Sequence, residues 1–212
     1  APMTAAELVN TTSERELASS WPEIVARLSA QVEYREAFAE AGFTRIDKAS
    51  ISEALVAYER SLITPNSRFD RYLLGEPGIL NAIEMEGYQR FKRHGCASCH
   101  QGVNVGGNLF HRIGVMRDYF ADRGNVTRAD WGRFNATGKE DDRFVFKVPS
   151  LRNVAETGPY FHDAHAKTLD DAIALMGRYQ LGRQLSEEDR SYISAFLKTL
   201  TGEWPQAPQE NP

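Results

Sequence analysis

The sequence contains little cysteine, no long apolar run and no excess of positive charge. Only two cysteines occur among 212 residues, which excludes a disulfide-rich scaffold, and a chain of this length can fold on its hydrophobic core alone. No apolar run approaches the roughly 18 residues that a membrane-spanning helix requires. The 25 basic residues are outnumbered by 29 acidic ones, and the net charge of −4 argues against a nucleic-acid-binding protein. Hydrophobic residues make up 42% and charged residues 25%, as in ordinary globular domains.

The two cysteines lie three positions apart, in Cys96-Ala97-Ser98-Cys99-His100. A structural zinc site usually takes four protein ligands, and the sequence has no second cysteine pair to complete one. A thioredoxin-like dithiol would accompany alternating strands and helices, which the pattern does not contain. C-x-x-C followed by histidine is the attachment sequence of c-type haem. The motif therefore predicts one covalently bound haem c, with both sulfurs on its vinyl groups and the histidine on iron.

Covalent haem attachment also predicts a location. The reaction needs reduced thiols and a dedicated machinery on the export side of the membrane, so we expect a periplasmic protein. The chain opens Ala1-Pro2-Met3-Thr4, with neither the basic start nor the apolar segment of a signal peptide. We therefore interpret the sequence as a mature or truncated form.

The spacing of apolar residues predicts helices along most of the chain. The predicted helices cover residues 21–30, 33–40, 51–62, 81–93 and 168–178, and a last helix that follows Ser186 and is stopped by Gly202. Between Gln101 and Phe146 the periodicity breaks down, and we interpret this long stretch as a loop around the edge of the haem. No strand is predicted. The fold class is therefore all-α, with a proline-rich, flexible tail at residues 205–212.

A sixth iron ligand has to come from a part of the chain outside the cysteine motif. Five side chains are candidates: His111, Met116, His162, His165 and Met176. Met176 lies on the apolar stripe of a predicted helix, where methionine more often fills the core, so the residue pattern leaves the choice open. Methionine would raise the reduction potential relative to a second histidine and favour electron transfer.

Several segments, taken in order, resemble the C-terminal half of the bacterial dihaem cytochrome c peroxidases. The most specific are DRFVFKVPSLRNV (142–154) and PYFHD (159–163). The others are YERSLITPNS (58–67), FDRYL (69–73), the haem motif with the preceding Phe91 and Lys92, GGN (106–108), LGR (181–183) and AFLKTLTG (195–202). The resemblance covers nearly the whole chain.

The resemblance implies an enzyme of two cytochrome c-like helical domains, each carrying one haem. The C-terminal haem is the high-potential centre, which accepts electrons from a small donor protein, a cytochrome c or a cupredoxin. It passes them to an N-terminal haem that reduces hydrogen peroxide to water. By position, Met176 matches the axial methionine, and Thr157 and Pro159 match carbonyl ligands of a calcium ion between the domains. Members of this family are also homodimers.

The sequence departs from this family in having one C-x-x-C-H where members carry two. Segment 2–7 resembles the stretch that carries the distal acid of the peroxidatic site, so Glu7 matches that acid, with Ala5 and Ala6 in place of the usual Asn-Pro. Ala164 replaces a glycine. We therefore expect residues 1–20 to be a remnant of the inter-domain bridge and residues 21–204 to be the haem domain, with the N-terminal peroxidatic domain missing.

Two other functions remain open at this point. One is a stand-alone monohaem electron-transfer cytochrome without peroxidase activity. The other is a relative of the dihaem enzymes that oxidise protein side chains, in which a tyrosine replaces the axial methionine. Met176 argues against the second of these.

Overall fold

The computed structural model describes residues 19–204, which fall into two compact units. The smaller unit holds residues 19–63 together with Trp204, and the larger holds residues 64–203. The expected division into a bridge (1–20), a haem domain (21–204) and a tail (205–212) stays a prediction. Almost all of that bridge, and the whole tail, lie outside the described residues.

The smaller unit forms helices α1 (Trp21–Ala30), α2 (Val32–Glu40) and α3 (Lys48–Ser61). Helix α1 begins where the Ser20 hydroxyl accepts a hydrogen bond from the Glu23 amide, with Pro22 in the first turn, where its missing N–H costs nothing. Helix α3 begins at a capping box, in which Asp47 and Ser50 each accept a hydrogen bond from the other's backbone amide. The sequence therefore specifies where these helices start.

The larger unit contains the cysteine motif and most of the longer apolar segments. Its helices are α4 (Arg68–Leu73), α5 (Ala82–Arg93), α6 (Tyr119–Arg123), α7 (Phe134–Thr137), α8 (Leu169–Tyr179) and α9 (Glu187–Lys198). Two short strands, β1 (Phe110–Arg112) and β2 (Val145–Lys147), pair antiparallel, with His111 opposite Phe146. The chain is thus helix-rich, as predicted, with a small sheet that the prediction lacked.

Helices α5 and α9 pack closely against each other at Gly87. A Cβ atom at this glycine would lie 2.0 Å from the Tyr192 carbonyl oxygen, so no larger residue fits without moving a helix. Beside this contact the rings of Phe91 and Phe196 lie 5.2 Å apart, and Ile193 is 1% exposed. This packing forms the main hydrophobic core of the larger unit.

The stretch predicted as one long loop, from Gln101 to Phe146, is ordered by a second core. Tyr119 and Phe120 are buried there together with Tyr179 from the end of α8. The stretch also contains β1, α6, α7 and the first two residues of β2. These elements are three to five residues long, too short for a periodic pattern to appear in the sequence.

The predicted helices 21–30, 33–40, 81–93 and 168–178 are confirmed to within one residue at each end, whereas α3 begins three residues before the predicted 51–62. The short helix α4 was not predicted. The expectation that Gly202 stops the last helix is wrong, since α9 ends at Lys198. The next residues instead bond to another segment: the Leu200 carbonyl accepts from the Asn153 amide, and Gly202 N–H donates to the Asn153 side chain.

Among residues 19–204, no helix combines the length and the apolar character needed to cross a bilayer.

Candidate functional site

The cysteine motif follows directly from the end of α5. Gly95 adopts a left-handed conformation (φ 89°) that ends the helix, and Cys96–Ser98 form a single 3₁₀ turn. The amides of Cys99 and His100 both donate to the Cys96 carbonyl, at 3.3 and 3.0 Å. One turn of chain therefore brings the two thiols and the imidazole together, as the sequence predicts.

Both cysteines are half-buried free thiols. Cys96 packs against the main hydrophobic core. Burial raises the pKa of its thiol to about 11, and the positive charge of Arg183 only partly opposes this effect. Cys96 is therefore a neutral thiol at pH 7, protonated and available for a covalent bond.

The His100 imidazole has an unsatisfied nitrogen. Its Nδ1 is buried and makes no hydrogen bond to any residue in the described range 19–204. Burial lowers the pKa of this histidine, although the backbones of Pro149 and Val105 favour the charged form. The ring is thus neutral near pH 7, which is the form that binds metals.

Gly106 allows the chain to pass directly over this histidine. Its φ is 131°, and a Cβ there would lie 2.1 Å from the Pro149 carbonyl oxygen and 3.3 Å from His100 Nδ1. A side chain at this position would displace either the ring or the Pro149 segment.

These residues fit a c-type haem. Two reduced thiols stand at the required spacing, and a neutral imidazole follows them. Among the described residues, no other cysteine is available to make a zinc or iron–sulfur centre with them.

The segment after β2 fixes the loop that follows His100. Gly107 N–H donates to the Val148 carbonyl at 2.8 Å, and the Ser150 hydroxyl donates to the Asn104 carbonyl at 2.7 Å. Arg152 donates through both terminal nitrogens to Asp70, at 2.8 and 2.7 Å. Burial alone would raise the pKa of Asp70, but these bonds outweigh it and hold the pKa below its usual range. The ion pair thereby ties this segment to α4.

Met176 lies half-buried on α8, on the face turned to the same core. Leu169 and Ile173 precede it by seven and three residues, so the three side chains share one face of the helix. Those two residues pack against the core that also contains Cys96, and Arg183, beyond the end of α8, lies near the Cys96 thiol. The axial role of Met176 stays a prediction.

The four other candidate ligands occupy different surroundings. His111 lies on β1, and Met116 is 62% exposed beside Gly182. His162 Nε2 is 2.7 Å from Asp130 Oδ1, so this nitrogen is already engaged. His165 packs edge-on against Tyr119 at 6.1 Å.

A buried ion cluster around Asp130 was not predicted from the sequence. Asp130 is 1% exposed and receives both terminal nitrogens of Arg123, at 2.9 and 2.7 Å. Arg123 hydrogen-bonds Asp163 as well. The guanidinium, together with Thr127 and His162, outweighs desolvation and holds the pKa of Asp130 far below its usual range. Asp130, His162 and Asp163 are close enough to hold a cation, but Arg123 already supplies the positive charge.

The remaining predicted site residues lie outside the described range or on the surface. Glu7 lies outside the described residues. Thr157 and Pro159, the expected calcium ligands, are exposed, and their role stays a prediction. Ala164, which stands where the resemblance expects glycine, has a left-handed φ of 54°, a conformation that glycine adopts with less strain.

Comparison with known proteins gives consistent matches. A family model described as di-haem cytochrome c peroxidase matches residues 3–78. The chain is 44% identical over 188 residues to the cytochrome c peroxidase Ccp of Escherichia coli K12, covering 88% of this chain and 40% of the relative. It is 43% identical over 193 residues to a cytochrome c551 peroxidase of Nitrosomonas europaea, covering 90% of this chain and 56% of the relative.

A solved structure agrees with these sequence matches. The crystal structure of a MauG-like protein associated with microbial copper homeostasis aligns with a TM-score of 0.79 at 30% identity. The alignment covers 94% of this chain and 69% of that one. The chain spans about half the length of the curated relatives it matches.

Proposed function

The chain belongs to the dihaem cytochrome c peroxidase family, and on that premise we propose that its larger unit is a cytochrome c-like, electron-transferring haem domain of a peroxidase. One observation carries the proposal. Cys96 packs against the same hydrophobic core as Leu169 and Ile173, the two residues that share a face of α8 with Met176. This corresponds to the C-terminal half of the family's enzymes.

Each residue then has a definite role. Cys96 and Cys99 would hold one haem c through thioether bonds, and His100 and Met176 would be the protein ligands of its iron. A haem with histidine and methionine ligands supplies a one-electron couple of high potential. The apolar core around Cys96 and the glycine contact at Gly106 exclude water from the histidine side and keep its ring fixed.

The proposed reaction is the reduction of hydrogen peroxide by two electrons and two protons to two water molecules. A small donor protein, a cytochrome c or a cupredoxin, supplies electrons one at a time. This chain stores and relays them to a peroxidatic haem domain, where Glu7 serves as the distal acid. The expected calcium ion is held at the domain interface through the Thr157 and Pro159 carbonyls, and the enzyme works as a periplasmic homodimer.

A second candidate is a stand-alone electron-transfer cytochrome. The single C-x-x-C-H among these 212 residues would suffice for that function. Both candidates require the same six-coordinate haem in this chain, and they differ in whether a second haem domain accepts its electrons.

Peroxide turnover by the haem-loaded chain tests the relay role. We expect low-spin oxidised haem and turnover at least about 100-fold slower than typical enzyme rates of about 10 s⁻¹, because Met176 occupies the position that peroxide would need. The haem-loaded Met116→Ala variant is the matched control and should behave like the parent chain. High-spin oxidised haem with rapid turnover by the parent chain would overturn the assignment.

A further inference from the structure

Hydrogen bonds at the end of helix α8 are made to the backbone of Met176, the proposed sixth ligand. The Met176 carbonyl accepts hydrogen bonds from two amides, those of Gln180 at 2.9 Å and Leu181 at 3.2 Å. Whatever fixes the residues just after α8 therefore also fixes the backbone of Met176.

The Gln180 side chain ties this helix end to residues 112–116, which we term the clamp segment. Its Oε1 accepts from the Gly114 amide at 2.6 Å and from the Val115 amide at 3.3 Å. Its Nε2 donates to the Arg112 carbonyl at 3.1 Å. One half-buried amide thus satisfies three backbone groups that lie 65 to 68 residues away in sequence.

Two further features hold the clamp segment against the end of α8. The Met116 amide donates to the Tyr179 carbonyl at 3.0 Å, which adds a fourth hydrogen bond to the same helix end. Gly114 has a φ of 82°, and a Cβ there would lie 2.7 Å from the Arg117 carbonyl oxygen. Only glycine makes this turn without strain, and the turn places its N–H at Gln180.

We propose that Gln180 is a positioning residue for Met176. Its side-chain amide anchors the end of α8 to the clamp segment and so resists displacement of the methionine sulfur from the iron by competing ligands. The proposal rests on the proposed function, because it takes Met176 as the sixth ligand.

The test compares haem-loaded Gln180→Leu with Gln184→Leu. Gln184 is an exposed glutamine four residues further on, and within residues 19–204 its side chain makes no hydrogen bond. Two readouts are the methionine-to-iron charge-transfer band of the oxidised protein and the affinity of its haem for imidazole. We expect Gln180→Leu to weaken the band and to raise imidazole affinity by at least about tenfold, because all three side-chain hydrogen bonds to the clamp segment are lost. Gln184→Leu should change neither.

The outcomes separate the two hypotheses. If the parent chain shows the band and Gln180→Leu matches Gln184→Leu, the positioning role is wrong and the proposed function stands. If the parent chain lacks the band, the proposed function itself fails.

A second variant covers the case in which Gln180→Leu does not fold. Gln180→Glu keeps the acceptor for the Gly114 and Val115 amides but loses the donor to Arg112. We expect imidazole affinity to rise by about threefold, in keeping with one lost bond. An affinity equal to that of the parent chain would refute the proposal.

Discussion

Two parts of the larger unit are stabilised in opposite ways. The helical core, made of α4, α5, α8, α9 and the cysteine motif, buries apolar side chains such as Ile193 and Phe196, each 1% exposed. The region from Phe110 to Phe146, which we term the arginine region, instead buries charge around Asp130, also 1% exposed. The arginine region thus buries an ion pair in addition to its own aromatic core of Tyr119 and Phe120, whereas the helical core buries mainly apolar side chains.

In the arginine region, several arginine side chains pack over aromatic rings. The Arg143 guanidinium lies over the rings of Trp131 and Phe134, at 4.9 and 4.0 Å, and that of Arg133 over Phe110 at 4.5 Å. Flat cations stacked on aromatic rings stabilise a chain that has little backbone hydrogen-bond ladder of its own. The clamp segment belongs to this region, and hydrogen bonds to Gln180 and Tyr179 hold it against the end of α8.

The largest loss of stability should come from Gly87→Ala in the helical core. In an exposed helix this change would stabilise by about 1 kcal/mol. Here the new methyl group would strike the Tyr192 backbone, so we expect the free energy of unfolding to fall by about 3 kcal/mol. Chemical denaturation measures the change, with Gln89→Ala, at an exposed position of the same helix, as the control. A stability equal to that of the parent chain would show that the α5–α9 contact is not tight.

A smaller loss of stability, confined to the arginine region, should follow Asp130→Asn. Removing one partner of a buried ion pair costs about 3 kcal/mol or more when the other charge is left alone, but Asp163 still faces Arg123, so we expect a loss of about 2 kcal/mol here. We expect amide hydrogen exchange to accelerate within residues 119–146 while α5 and α9 keep their protection. Asp141→Asn, at an exposed neighbour, is the control. Equal acceleration in α5 and α9 would mean that the two regions unfold together.

The pH dependence of the stability of the same variant tests whether the ionised Asp130 carboxylate is the stabilising group. The pKa of Asp130 in the folded chain lies far below the value of about 4 expected in the unfolded chain. Its stabilising contribution is therefore complete above about pH 5 and decreases as the pH falls toward the folded pKa. The stability difference between the parent chain and Asp130→Asn should shrink as the pH falls from about 5 to about 2. A difference that stays constant over this range would exclude the ionised carboxylate as its cause.

The two regions also differ in how far the sequence predicts them. The start of helix α1 could be predicted because its signals, Ser20 and Pro22, are local in sequence. The cysteine motif could be predicted because its three residues lie within five positions of one another. Asp130 meets His162 across 32 residues and Arg123 meets Asp163 across 40, and no sequence spacing indicates such pairs. The helix bearing Met176 could be predicted, whereas the clamp at Gln180 depends on contacts visible only in the fold.

The optical spectrum of the oxidised, haem-loaded chain distinguishes Met176 from Met116 as the sixth ligand of the iron. Met176 and Met116 both lie near the end of α8, yet only Met176 shares a helix face with the residues that pack against the Cys96 core. We predict a methionine-to-iron charge-transfer band in the parent chain and in Met116→Ala, and its loss, with high-spin haem, in Met176→Ala. A band that survives in Met176→Ala would contradict the assignment of Met176 as the sixth ligand.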